Sequence, residues 1–319
     1  MLFKKAKLKV SHRHFFPALV FFALAVTSLG VSLLHKEETL SASIKESNKF
    51  SDPLGPNSPI GEAKGIFPGR VVWVHNPDAT NENCTNANQK DAYFLEKNTD
   101  QAVTDAMFSE GIQRLSGKTS DAEAWDAIFR HFNVSHNKGD IGYQDSETIF
   151  IKINAVTAYN GATPNGDMGP SIPVEYDTSP QAILTLLRQL INTAGVPQEK
   201  IYIGDPMADI WNHMYKKFYA EFPDVNYVSK RNIPGRYKLK ANTNPSIYYS
   251  DKGKVITQLR SHKLFKEMTD ANYLINVPTM KGHRWGGVTF FAKNHFGSNT
   301  SDGSWQLHKG LMDDNDDYD

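Results

Sequence analysis

The chain has 319 residues, 39% hydrophobic and 22% charged, and its 35 lysines and arginines balance its 35 aspartates and glutamates. That length can hold one large domain or two small ones with a real core, and that composition excludes global disorder. The balance hides an asymmetry. Six basic residues (Lys4, Lys5, Lys7, Lys9, Arg13, Lys36) precede the first acid, Glu37, which leaves a mildly acidic body and argues against nucleic-acid binding through phosphates.

Residues 1–36 read as a signal peptide or an N-terminal membrane anchor. A basic stretch precedes Phe15–Leu34, twenty uncharged and mostly apolar residues, about the length that spans a bilayer. Ala23-Leu24-Ala25 also offers a small-x-small cleavage site, so both readings stay open. Basic residues on the N-terminal side place that end in the cytoplasm and the rest outside, so the expected location is extracytoplasmic, at the periplasm or cell surface. Residues 37–66 are polar and aperiodic, a flexible linker, and 67–319 form the α/β domain. Cys84 is the only cysteine, which excludes an intramolecular disulfide and a cysteine-built zinc or iron–sulfur site.

Arg70–His75, "RVVWVH", predicts a first strand, and Asp100–Leu115 a helix closed by Gly117. Ser120 and Glu123 fit a capping box opening the next helix. "GIQRLSGKT" misses the phosphate-loop pattern by one residue and lies at a helix end. Thr148–Ile153, "TIFIKI", reads as a buried strand; Ser179-Pro180 opens an amphipathic helix that Gly195 ends; and Lys200–Ile203 is the next strand. Strand, helix, strand predicts a right-handed parallel crossover. A helix from Met207 to about Phe222 leads to strand Asn226–Ser229. Ile247–Ser250 and Lys254–Gln258 flank "DKG" as an antiparallel hairpin, then a helix near His262–Ala271 precedes strand Tyr273–Val277. The fold class is α/β: a mostly parallel open sheet with helices on both faces plus a small antiparallel hairpin.

Ligands of such sheets bind beyond the carboxyl ends of the strands. Three predicted strands end there in polar residues: Lys152 and Asn154, then Asp205, then Lys281 and His283. Asp205 precedes Pro206 and reads either as a helix N-cap or as a ligand-orienting carboxylate and general base. Lys152 alternates with isoleucines and has an edge reading as well, while Asn154 also suits a strand terminator. Gly286 and Gly287 precede a predicted helix Val288–His295, and a glycine turn into a helix N-terminus is an anion site to which Lys281 and Arg284 add charge. On that helix Lys293 and Asn294 lie off the apolar face and can reach a ligand, whereas His295 shares it with Val288 and Phe291 and reads first as a core histidine. A metal reading would use Asp205, His283, His295 and His308, without the short spacing of zinc proteases.

"VVWVHNPDAT", "IFIKIN", "IYIGDP", "YLINVPTMKGH" and above all "GVTFFAKNHFGS" resemble, in order and spacing, the family called domain of unknown function 362, over roughly Gly69 to the end. The resemblance implies an α/β domain, often exported, with no settled activity or cofactor. Some members carry ferredoxin-like cysteine clusters, which this chain lacks. It also implies further chain beyond the His308-Lys309-Gly310 segment, and so a domain incomplete at Asp319. The reading that emerges is an exported protein whose strand-end site binds an anionic small molecule, as an enzyme or otherwise. Lys281, Arg284 and Lys293 would neutralise charge, and His283 would transfer protons. Two rivals stand beside it: a non-catalytic envelope binding or scaffolding module using Trp285 and Trp305, and a divalent-metal protein.

Overall fold

The computed structural model describes residues 61–158, 163–170, 172–174, 176–248, 261–283, 286–300 and 307–308. The signal or anchor reading of 1–36, most of the linker, Arg284, Trp285 and Trp305 lie outside these residues. The chain divides into two units, Met1–Glu62 and Ala63–Asp319, and every described helix and strand belongs to the second. No described helix is long and apolar enough to cross a membrane.

Helix α1, Gln101–Ser116, starts where the Asp100 carboxylate accepts the Val103 N–H and ends at Gly117, whose φ of +69° admits the left-handed cap. Helix α2, Asp121–Ser135, opens at the predicted Ser120 cap, with Ser120 Oγ accepting the Glu123 N–H; the Glu123 carboxylate accepts a hydrogen bond from the Ser120 hydroxyl in place of the backbone N–H that a capping box would use. Strand β1, Ile149–Ile153, is followed by helix α3, Pro180–Arg188, one π-helical turn over Gln189–Thr193, and strand β2, Ile201–Gly204. Helix α4, Asn212–Tyr219, leads to strand β3, Asn226–Tyr227. Strands β4, Ala241–Tyr248, and β5, Ser261–Phe265, pair antiparallel, and helix α5, Lys266–Thr269, leads to strand β6, Tyr273–Val277.

The main sheet has four parallel strands in the order β3-β2-β1-β6. Register aligns Ile149 with Ile201 and Tyr273, and Lys152 with Gly204 and Asn276. Paired residues point to one face, so Ile149, Ile151 and Ile153 share theirs with Ile201 and Ile203. These isoleucines join Leu184, Leu187, Trp125 and Phe129 in the main core. The opposite face carries Phe150, Lys152, Tyr202 and Asn276, and the later part of the chain covers it. Gly204 is required by packing, because a Cβ there would lie 2.6 Å from Val228 Cβ.

Five sequence expectations are corrected. Arg70–His75 forms no strand: Val72 and Val74 are half-buried while Val71 and Trp73 face solvent, and the segment takes part in no strand pairing among the described residues. The α4 helix begins at Asn212 rather than Met207, because Asp205 and its neighbours form a turn in which Ala208 N bonds Asp205 O. Lys254–Gln258 lies outside the described residues, and Ile247 pairs instead with His262. His262–Phe265 is therefore strand, and only Lys266–Thr269 of the predicted 262–271 helix is helical. Finally, Gly287–Thr289 forms strand β8, antiparallel to strand β7, Lys281–His283, and helix α6 is only Phe291–Asn294. Pairing with another backbone overrides local helical periodicity in the last two cases.

Candidate functional site

At the carboxyl end of β1, the Lys152 side chain is fully buried. Its ammonium donates to Ile153 O at 2.6 Å and Asn294 Oδ1 at 3.2 Å, and it meets Asp205 Oδ2 at 3.1 Å. Burial pulls its pKa down and Asp205 pulls it back up. The solvent-facing reading of Lys152 is thereby corrected. Its face of the sheet is closed by the segment around α6, which supplies the polar partners a buried charge requires.

Asp205 has both carboxylate oxygens occupied. Oδ2 takes the Ala155 N–H at 3.2 Å besides Lys152, and Oδ1 takes the Met207 N–H at 3.2 Å. It therefore closes a turn, and it is not the N-cap of α4. Gly297 packs onto it so closely that a Cβ would lie 2.8 Å from Oδ1. Asn294, also buried, donates to Lys152 O at 3.2 Å and Asn276 Oδ1 at 2.8 Å, locking β1, β6 and α6 together.

A second group of cations gathers beside this pair. Lys293 is half-buried, with its ammonium 4.6 Å from the centre of the Phe296 ring and no carboxylate paired with it among the described residues. Burial, then Lys152 and Lys281, lowers its pKa to about 8 against the pull of Asp205. His283 stacks on His308 with ring centres 5.2 Å apart, and its Nδ1 accepts the Gly286 N–H at 3.1 Å. Burial, then Lys293, His308 and Lys281, lowers it to about 4, so at neutral pH the ring is uncharged with its proton on Nε2. Lys281 donates to Tyr176 O at 2.5 Å. His295 bonds Ser298 Oγ at 3.0 Å and is held down by burial and Lys152.

The glycine argument also changes. Gly286 ends the turn of the β7–β8 hairpin and Gly287, with a φ of +66°, opens β8, so neither leads into a helix N-terminus that could meet an anion. Asn154 keeps its place at the strand end, where its backbone exchanges hydrogen bonds with Thr178, but its buried Oδ1 has no hydrogen-bond partner among the described residues. The buried hydroxyl of Thr289 is likewise unpartnered.

Asp177 is the functional candidate that sequence reasoning missed. It is buried, its carboxylate accepts the Thr157 N–H at 3.1 Å and the Thr157 hydroxyl, and burial raises it to about 6, opposed by Thr157 and Lys281. Its signal was present: "EYDTSP" lies between β1 and α3, where a crossover leaves the carboxyl edge of the sheet. A cleft of about 260 Å³ opens next to Asp205, lined by Pro206, Met207, Ser229, Lys230, Lys238 and Asn299 among others.

The structure thus brings Lys152, Asn154, Asp205, Lys281, His283, Lys293, Asn294, His295 and His308 to one end of the sheet. Arg284 lies outside the described residues. Among the described residues no three histidine, cysteine or acidic side chains are placed to hold a metal ion. The Lys152 ammonium occupies the Asp205 oxygen that such a site would use, and His283 meets His308 face to face.

The model of one protein family, described as Domain of unknown function (DUF362), matches residues 149–315, just over half of the chain. The match opens at β1 and spans every residue of this cluster. No curated protein and no solved structure matches the chain.

Proposed function

This chain belongs to the DUF362 family, and we propose that its strand-end cluster binds an anionic small molecule. The observation that carries the reading is Lys293: a half-buried ammonium with no paired carboxylate among the described residues, its pKa lowered to about 8 first by burial and then by two neighbouring lysines. An ion in that state is destabilised in the empty site, and an anion beside it would reverse the cost. Both nearby carboxylates are already committed, Asp205 to Lys152 and two backbone N–H groups, and Asp177 to Thr157. The hydroxyl of Thr289, without a partner among the described residues, and the neighbouring Lys281 ammonium add donor chemistry on the same side.

In this reading Asp205 is a positioning residue that holds Lys152 and the β2 turn. Asp177 and His283 are the groups to test for proton transfer if the bound molecule reacts. The basic-then-apolar pattern of residues 1–36 supports a domain held outside the cytoplasm, tethered to the membrane or released from it.

Inorganic phosphate and sulfate are the first probes, with the full chain followed by thermal unfolding and calorimetry. Phosphate raises the unfolding temperature, and Lys293→Gln weakens binding at least about tenfold, the worth of one charge-assisted hydrogen bond. Binding fades above about pH 8 as Lys293 loses its proton, and Lys293→Arg, which stays charged, carries it to higher pH. Absence of any effect of either anion, or equal effects on wild type and Lys293→Gln, overturns the reading.

A further inference from the structure

The β7–β8 hairpin turns its polar side inward and its apolar side to water. Cross-strand partners share a face, so Lys281 lies with Thr289 and His283 with Gly287 on one side, and Gly282 lies with Val288 on the other. The first side is buried at Thr289 and half-buried at Lys281 and His283. The second is exposed and apolar: Val288 is 49% accessible, with Met280 at 60% and Phe290 at 39% on its flanks. Phe291, 55% accessible, packs its ring edge-on against Phe290 at 4.3 Å. A hairpin resting on a protein core in water has the opposite pattern.

We propose that this hairpin dips into the interfacial layer of a membrane, and that the cationic cluster behind it takes the phosphate headgroup of an anionic phospholipid. The inference rests on the anion-binding reading and names the source of the anion. Apolar side chains that enter the acyl boundary beside lysines that meet headgroup phosphates are the two ingredients of interfacial binding. A free small anion needs the lysines but has no use for Met280, Val288 and Phe290. A second copy of the chain would set these lysines against their own counterparts, and the carboxylates near them are already committed. The Thr289 hydroxyl, on the inner side next to Lys281 and without a partner among the described residues, is a donor suited to a phosphate oxygen.

The test uses the full chain with Cys84→Ser and Val288→Cys, carrying a polarity-sensitive fluorophore at position 288. A control carries the same label at Val134→Cys, which is 53% accessible. Its neighbour Asn133 bonds Tyr273 at the start of β6, which puts position 134 at the opposite end of the sheet. Vesicles contain either phosphatidylcholine alone or phosphatidylcholine with phosphatidylglycerol, with nitroxide-labelled acyl chains as quencher. The expected result is a blue shift and quenching at 288 on the anionic vesicles, neither at 134, and about fivefold weaker binding for each of Lys281→Gln and Lys293→Gln. Attachment through residues 1–36 alone leaves the 288 probe wet and overturns the proposal. So does equal quenching on phosphatidylcholine alone, and so does a blue shift that grows with protein concentration without vesicles. If the probe stays wet while inorganic phosphate still stabilises the protein, the lipid source falls and the anion site stands. If phosphate also fails, both fall.

Discussion

Along β1, successive side chains enter two different environments. Ile149, Ile151 and Ile153 join the apolar core with the leucines of α3, where contact is non-directional and a neighbour of similar volume would serve. Lys152, one residue away, points to the other face, where its ammonium needs three particular oxygens, from Ile153, Asn294 and Asp205. One face is held by volume and the other by satisfied charge. The difference teaches where tolerance ends: the first face can be eroded by degrees, whereas the second fails when any one partner is removed.

The largest effect is expected from Asp205→Ala, which strands the Lys152 charge in a dry interior. Urea unfolding should show a loss of about 3–5 kcal/mol, the range for breaking a buried pair from one side. Replacing both partners, Lys152→Met with Asp205→Asn, should recover most of it because no charge is left buried. A double variant as weak as the single one would break the comparison.

On the apolar face Ile151→Ala should cost about 2–5 kcal/mol and Ile151→Val only about 0.5–1.5 kcal/mol, a graded response read by the same titration. Next comes Asp177. Its folded pKa, about 6, is raised above the ordinary value of 3.8, so ionisation opposes folding. The stability its neutral form retains is fully present below about pH 4 and is lost as pH rises through 6. Asp177→Asn should therefore match wild type near pH 4 and exceed it above pH 6 by up to about 3 kcal/mol. His283 works in the opposite direction, since its lowered pKa removes stability as pH falls from 6.5 towards 4. The Asp177→Asn comparison isolates one from the other. The smallest effect belongs to Gly297→Ala. Its new methyl meets the Asp205 carboxylate, which can give way only by lengthening its bonds to Lys152 and the backbone, so about 1–2 kcal/mol is expected, together with weakened phosphate binding in calorimetry.

The parallel crossover and its strand ends were legible because hydrophobic run length and helical spacing are local properties. "TIFIKI", the Pro180–Thr193 segment and "IYIG" state them within a few residues. The caps at Ser120 and Gly117 were legible for the same reason, since each satisfies backbone groups of its own turn. Gly286 and Gly287 were read as leading into a helix because local spacing cannot show that Lys281–His283 comes to lie opposite Gly287–Thr289. The sequence by itself determined the fold class and that Lys152, Asn154 and Asp205 lie where their strands end. Only the tertiary structure decided that Lys152 is buried on Asp205, that Asp177 joins the site, and that Lys293 and His283 are shifted by their neighbours. Burial and electrostatic coupling depend on distances between residues far apart in the chain, and no local pattern encodes those.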